Sequence, residues 1–181
     1  QLQRPELLDG ITANMTFPNC MVDRFTPATT PADLDMVAKQ FAIDDAWPVV
    51  AEPFAQWVVE DRFCNGRPEL ETLGVQMTDD VHPYEIMKVR LLNASHLLIC
   101  YLCSLKGYSY VLEAMADEQI AQATARLMDE VTPTLRSLPG IDLAQYKQTL
   151  VERFSNPKIR DQLPRLCLNS SSKIPKYALG S

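Results

Sequence analysis

Apolar residues recur every three to four positions over most of the chain, which is the spacing of helices that bury one face. Thr30 followed by Pro31 is a helix start, and Asp117 and Asp142 are N-cap residues ahead of two further periodic stretches. The longest periodic stretch ends at Gly107 and is about 24 residues, roughly 35 Å, in length. The predicted helices cover 31–43, 83–107, 117–130 and 142–154, with a further helical segment from 156 toward 168.

Strand-like patterns are confined to the first sixty or so residues. A short strand is predicted near Cys20 to Asp23, and the stretch 47–63 is predicted to form a short strand followed by one or two helical turns. A loop is expected over 65–80, and a Ser-rich loop with a tail over 169–181. The fold class that follows is mainly α, a multi-helical domain with a small β margin at its N-terminal side.

The charge of the chain excludes one class of partner. Seventeen Lys and Arg against 23 Asp and Glu give a net charge of −6, so the basic surface of a nucleic-acid binder is missing. Hydrophobic residues make up 46% and charged residues 22%, as in an ordinary globular domain. We find no apolar run of the roughly 18 residues that a membrane span needs, and no signal peptide. We therefore expect a cytoplasmic protein with neither membrane nor nucleic acid among its partners.

The five cysteines are scattered through apolar stretches, which favours reduced thiols over a disulfide framework. Cys100 and Cys103 form a CxxC pair inside the long helix. The position of the pair in an apolar helix favours core packing. A metal or redox site is the other interpretation, and it fits less well because no second CxxC accompanies the pair.

Four polar residues of the long helix are candidates for chemistry. At about 100° per residue, and with Lys88 at zero, Glu85 falls at about 60°, His96 at about 80° and Asn93 at about 140°. Polar groups on an otherwise apolar helix are costly to bury without partners, so they could share a cavity. Each also has a structural interpretation: Lys88 could reach solvent, His96 could be a satisfied core residue, Asn93 could bond to a loop, and Glu85 could favour the helix dipole.

The sequence resembles a known family at this helix and at other points along the chain. PYEIMKVRLLNASH over 83–96 resembles the KxxxxNxxH signature of the polyol-specific long-chain dehydrogenases, the mannitol dehydrogenase family, which also includes fructuronate and tagaturonate reductases. FPNCMVDRFTPAT over 17–29, WPVVAEPFAQWVVEDRF over 47–63, IRDQLPRLC over 159–167 and SSSKIPK over 170–176 resemble the same family in the same order. The resemblance thus covers nearly the whole chain.

The resemblance implies a role for eight residues. Lys88 matches the catalytic lysine, a general base whose proton affinity burial could lower. Asn93 matches the amide that stabilises the developing alkoxide, and Glu85 a carboxylate on the proton path to solvent. The remaining residues match substrate-binding positions: His96, Asp23, Val22, Arg165 and Lys173.

The chain departs from the family pattern at its nucleotide site. No GxGxxG turn occurs, so the resemblance implies that NAD or NADP is bound mainly by a preceding domain, and that no metal is used. We expect residues 1–30 to be the end of that nucleotide-binding domain and 31–181 to be the helical substrate-binding and catalytic domain, incomplete at its C-terminal end. Such a fragment is expected to be inactive alone and could self-associate through faces exposed by truncation.

Three functions remain open at this point. The first is the catalytic domain of an NAD(P)-dependent oxidoreductase that interconverts a sugar alcohol and its ketose, such as mannitol and fructose. The second is a hexuronate reductase of the same family, whose substrate carboxylate would pair with a basic residue. The third belongs to another class: an isolated, non-catalytic helical module for binding or assembly.

Overall fold

The computed structural model describes residues 4–178, and the end of the predicted tail, 179–181, lies outside the described residues. The chain forms two compact units. One consists of Gln1–Asp23 and Ala55–Glu85, and the other of Arg24–Phe54 and Ile86–Ser181. The domain boundary expected near residue 30 stays a prediction.

The described residues are mainly helical, and the prediction of a mainly α fold with a small β margin is confirmed. The helices are α1 Pro5–Asn14, α2 Pro31–Phe41, α3 His82–Lys88, α4 Ala94–Lys106, α5 Val111–Ala116, α6 Glu118–Val131, α7 Leu143–Phe154, α8 Leu163–Cys167 and α9 Ser170–Tyr177. Short 3-10 turns occur at Leu70–Leu73 and Thr132–Thr134, and a π-helical turn at Val89–Asn93. The strands are β1 Cys20–Asp23, β2 Gln56–Glu60 and β3 Gln76–Thr78.

The first unit is built on the three strands. Strand β2 is central, antiparallel to β1 and parallel to β3, with Met21 opposite Val58 and Val59 opposite Met77. Met21, Val58 and Val59 are buried. The buried carboxylate of Glu60 accepts bonds from the backbone N of Asn19 at 3.0 Å and from its Nδ2 at 3.3 Å, which lowers the pKa of Glu60.

The second unit packs its helices around α4. Its interior is formed by apolar side chains with almost no solvent exposure, namely Leu91, Ile99, Ile120, Met128, Leu150, Phe154 and Leu163. The predicted caps are present: Asp117 accepts from the N–H groups of the first turn of α6, and Asp142 from those of α7. Helix α4 ends where Gly107 takes a left-handed conformation with φ of 79°, which a residue with a Cβ adopts only with strain.

Several local predictions are wrong. The stretch 47–63 has no helical turn, and its strand, β2, lies near its end. Pro48 and Pro53 disfavour both helix and strand in the first part of the stretch because proline has no backbone N–H to donate. Strand β3 lies inside the expected loop 65–80, because pairing with β2 orders it. Helix formation after 156 begins only at Leu163, and α2 ends at Phe41 instead of 43. Helices α1, α5 and α9 were not predicted; α9 lies within the expected Ser-rich loop.

The expectation that no segment is long and apolar enough for a membrane span is also wrong. The segment His82–Lys106 meets that criterion by length and composition, with a mean hydropathy of 1.3 over its most apolar 18 residues. Half of that window is buried inside the structure, and the core helix of a globular domain passes the same test.

Candidate functional site

The long helix changes its geometry between two of the candidate residues. Helix α3 ends at Lys88, and the next five residues form a π turn in which the N–H of Ala94 donates to the carbonyl of Val89. Such turns are rare and are frequent at functional sites. In a regular α-helix, residues five positions apart differ by about 140° around the helix axis. In a π turn the hydrogen bond joins residues five positions apart, which brings them closer to the same side of the helix. The π turn therefore reduces the angular separation of Lys88 and Asn93.

A side chain within the π turn anchors it to the rest of the second unit. Nη1 of Arg90 donates to the carbonyl of Thr134 at 3.1 Å and to its hydroxyl at 2.7 Å. Leu91 and Leu92 of the same turn are buried. Burial on one side and hydrogen bonds on another fix the turn and, with it, the start of α4.

The turn leads into a cavity of about 170 Å³ in the second unit. It is lined by Asn93, His96, Leu97, Leu166, Lys173 and Tyr177. The residues around this space thus carry an amide, an imidazole, an ammonium and a phenol. Together they offer donors and acceptors for several hydroxyl groups, which is the chemistry of an open-chain sugar or polyol.

His96 is the most distinctive residue of the cavity. Its Nε2 is enclosed and has no hydrogen-bond partner among the described residues. Its ring contacts those of Phe25 and Phe154, at centroid distances of 5.1 Å and 4.9 Å. An enclosed polar atom without a partner costs free energy, so its burial here is a feature that core packing alone does not explain.

The surroundings of His96 keep its ring uncharged. Burial, together with the positive charges of Arg165, Arg153, Lys173 and Lys88, lowers the pKa of His96 to about 3. A neutral imidazole has one donor and one acceptor nitrogen, so His96 can accept a bond from a hydroxyl group or donate one to it.

The basic candidates lie on α8 and α9 and at the end of α3. Lys173 lines the cavity, and its Nζ donates to the carbonyl of Leu166 at 3.0 Å. Arg165 is exposed and pairs with the buried Asp161, at 2.5 Å between Nη2 and Oδ1. Lys88 is half-buried, and its charge acts on His96. The structure therefore gathers Asn93, His96 and Lys173 at one cavity and places the charges of Lys88 and Arg165 within electrostatic reach of it.

The other three candidates belong to the first unit. Val22 and Asp23 are neighbours on β1, with 55% of Val22 and 2% of Asp23 exposed to solvent. Glu85 is exposed on α3, and its carboxylate lies 3.7 Å from Nδ1 of His82. The roles of these three residues stay predictions.

Tyr177 is a cavity residue that sequence reasoning missed. The segment after Asn169 was expected to be a loop, so Tyr177 had no assigned neighbour. In α9 it follows Lys173 by four positions, and residues four apart share one face of a helix. A prediction of helix for SSSKIPKY would have placed the phenol beside the ammonium.

The described residues hold neither a cluster of metal-ligating side chains nor a glycine-rich turn at the start of a helix. Within 4–178 no group of three or more His, Cys, Asp or Glu side chains is close enough to hold a metal ion. Cys100 and Cys103 are buried in α4, and burial raises their pKa values to about 12 and about 11, so both remain thiols at neutral pH. The glycines at Gly66, Gly74, Gly107 and Gly140 occupy separate turns, none of which opens a helix, so these residues do not fit the phosphates of a dinucleotide.

Known proteins match the chain over nearly its whole length. Residues 80–181 match the model of the mannitol dehydrogenase C-terminal domain, and residues 2–72 match that of the mannitol dehydrogenase Rossmann domain. Mannitol 2-dehydrogenase of Emericella nidulans is 48% identical over all of this chain and 37% of its own length, and that of Aspergillus niger is 49% identical over 98% and 37%.

Two solved structures have the same fold. Pseudomonas fluorescens mannitol 2-dehydrogenase, in a ternary complex with NAD and D-mannitol, gives a TM-score of 0.91 at 55% identity and covers 99% of this chain. A D-sorbitol dehydrogenase in substrate-free form gives 0.90 at 39% identity and covers 97%. This chain spans 37% of the length of each of these two proteins.

Proposed function

The chain belongs to the mannitol dehydrogenase family, and from this we propose that it supplies the polyol-binding and proton-transfer residues of an NAD-dependent oxidoreductase that interconverts a sugar alcohol and its ketose. The resemblance read from the sequence is thereby confirmed. One observation carries the proposal: the ring of His96, whose Nε2 has no hydrogen-bond partner within 4–178, lines a cavity together with residues that carry an amide, an ammonium and a phenol. A related structure with NAD and D-mannitol supports the choice of cofactor and substrate class.

In the proposed reaction these residues act on the alcohol. Lys88 in its neutral form takes the proton from the reacting hydroxyl group, and the amide of Asn93 donates to the oxygen as it gains alkoxide character. The π turn matters here because it brings these two residues toward one side of the helix. Oxidation of the alcohol also requires that a hydride leave the carbon that carries the hydroxyl group, and NAD, when bound, would accept it. Lys88 and Asn93 are proposed to act only on the proton and the oxygen.

The remaining candidates are proposed to hold the substrate. The neutral ring of His96 bonds one hydroxyl group, and Lys173 and Arg165 bond hydroxyl groups further along the carbon chain. Val22 and Asp23 are proposed to lie beside the substrate, and Glu85 to pass the proton from Lys88 to solvent. Because His96 offers one donor and one acceptor, it suits a hydroxyl group better than a carbonyl group.

The test is Lys88→Ala in the full-length protein, with mannitol and NAD as substrates. Loss of a general base lowers turnover by about 10²- to 10⁴-fold. The matched control is Lys39→Ala, since Lys39 is exposed on α2 and pairs with Asp35 one turn away; its turnover should stay within about two-fold of wild type. A Lys88→Ala enzyme that keeps turnover within a few-fold of wild type would refute the role of Lys88.

A hexuronate is the second candidate substrate, and the charges around His96 favour it. Arg165, Arg153, Lys173 and Lys88 all place positive charge near the ring, as a substrate carboxylate would prefer. Comparing kcat/KM for fructose, sorbitol, fructuronate and tagaturonate distinguishes the candidates. Wild-type protein that turns over none of them with either NAD or NADP would favour the third candidate, a non-catalytic module.

A further inference from the structure

A buried ion pair lies beside the ring of His96 and has no role in the proposed reaction. Glu52 and Arg153 are 1% and 6% exposed. Oε1 of Glu52 accepts from Nη2 of Arg153 at 2.7 Å and from its Nε at 3.1 Å, and Oε2 accepts from the same Nε at 3.1 Å. A pair buried this deeply is costly to desolvate, and apolar residues of the same volume often stabilise a protein as well or better. Stability alone is therefore a weak reason for its presence.

The ion pair fixes the position of Phe25. The backbone N of Phe25 donates to Oε1 of Glu52 at 2.6 Å, and the backbone N of Glu52 donates to the carbonyl of Phe25 at 3.2 Å. The guanidinium carbon of Arg153 lies 4.2 Å from the centre of the Phe25 ring and 4.0 Å from that of Phe54. The planar guanidinium is thus held between two rings while its edge is bonded to the carboxylate.

Phe25 in turn determines where the ring of His96 can lie. Phe25 stacks on Phe154 at 5.8 Å with an angle of 15° between the rings, and His96 contacts both. Because the rings are close-packed, a shift of Phe25 displaces His96, and Nε2 makes no hydrogen bond to any residue of the described part of the chain that would hold it in place.

We propose that Glu52 and Arg153 are positioning residues, which act through Phe25 and Phe154 to hold the ring of His96 at the wall of the polyol cavity. This inference rests on the proposed function for the identity of the ligand, but its geometric part concerns His96 alone. Neither Glu52 nor Arg153 lines the cavity, so their contacts reach its wall through the rings of Phe25 and Phe154.

The test begins with Arg153→Lys, which keeps a positive charge beside Glu52 but loses the planar group between the two rings. The His96 imidazole is observed by NMR in the full-length protein with labelled histidine, and its signal is assigned by its absence in His96→Gln. We expect the signal to shift or broaden in Arg153→Lys and to stay unchanged in the control Arg126→Lys, since Arg126 is exposed on α6. An unchanged His96 signal in Arg153→Lys overturns the proposal.

Kinetics separates positioning from a merely structural role. We expect KM for mannitol to rise about 10-fold in Arg153→Lys while KM for NAD stays constant. The reason is that a displaced His96 ring weakens the binding of mannitol and leaves the binding of NAD unchanged. In a His96→Ala background the same change should have no further effect on KM for mannitol. A KM effect of equal size in that background, or a loss of active protein without any KM change, also overturns the proposal.

Phe25→Leu is the second variant, for use if Arg153→Lys does not fold. It keeps the ion pair and removes the ring between Arg153 and His96, so the same NMR and KM changes are expected. If the wild-type protein oxidises no polyol, the proposed function fails, and the His96 signal still decides whether the ion pair positions the ring.

Discussion

Replacing His96 should remove most of the dependence of stability on pH between 7.5 and 5. Burial and four nearby cations lower the pKa of His96 to about 3 in the folded protein, whereas an unfolded histidine has a pKa of about 6.5. As the pH falls below 6.5 the unfolded chain takes up a proton that the folded chain does not. The folded state is therefore fully stabilised above about pH 6.5 and loses that stabilisation as the pH falls toward 3.

The size of the effect follows from the distance between the measuring pH and the unfolded pKa. At pH 5 the pH lies about 1.5 units below the pKa of the unfolded histidine. Each pH unit corresponds to about 1.4 kcal/mol of folding free energy, which gives about 2 kcal/mol. This is an upper value, because solvent reaches part of the ring through the cavity. Few carboxylates titrate above pH 5, so this range isolates the histidine.

The assay is urea unfolding followed by circular dichroism at several pH values from 7.5 to 5, in wild type, His96→Gln and His82→Gln. The chain has two histidines, and His82 is exposed, so the same substitution at His82 is the matched control. We expect wild type and His82→Gln to lose stability in parallel and His96→Gln to lose about 2 kcal/mol less between pH 7.5 and 5. Equal slopes for all three proteins would show that His96 is protonated in the folded state near its usual pKa.

Three further changes test how the second unit is held together, each by thermal or urea unfolding. Glu52→Gln should cost about 3–5 kcal/mol because it removes the negative charge that the buried guanidinium of Arg153 faces in this pair, and Arg153→Met added to it should restore part of the loss; a double variant as unstable as the single one contradicts this. Asp142→Ala should cost about 1 kcal/mol by removing the cap of α7, whereas Asp142→Asn should cost little; equal losses would mean that the cap bonds do not matter. Gly107→Ala should cost about 1 kcal/mol because φ there is 79°, while Gly10→Ala inside α1 should be neutral or stabilising; a neutral Gly107→Ala would show that the α4 terminus relaxes.

Long periodic helices with clear end signals could be predicted from the sequence, and elements ordered by tertiary contacts could not. Asp117 and Asp142 mark their helices because a carboxylate at the N-cap satisfies free N–H groups whatever lies around it. Strand β3 has only three residues and depends on β2 for its hydrogen bonds, so its own sequence carries little signal. Helix α9 carries Pro175 and three serines, which favour a loop by propensity alone.

The sequence suggests candidate residues for a site but not how they are arranged. The spacing of polar residues on the long helix selected Asn93 and His96, and both line the cavity. A single helical wheel assumes one angle per residue throughout, and the π turn after Lys88 breaks that assumption. Contacts from distant segments, such as those of Phe25 with His96, leave no local pattern that sequence reasoning could use.

The Glu52–Arg153 pair also bears on the order in which the protein folds. Its members are 101 positions apart in the chain, so a long loop must close before the two side chains can meet. Contacts of such large sequence separation are expected to form after the transition state, when α7 and its neighbours are already in place. Substitutions in the pair should then accelerate unfolding and leave the folding rate nearly unchanged, which makes this pair a determinant of how long the native state persists once formed.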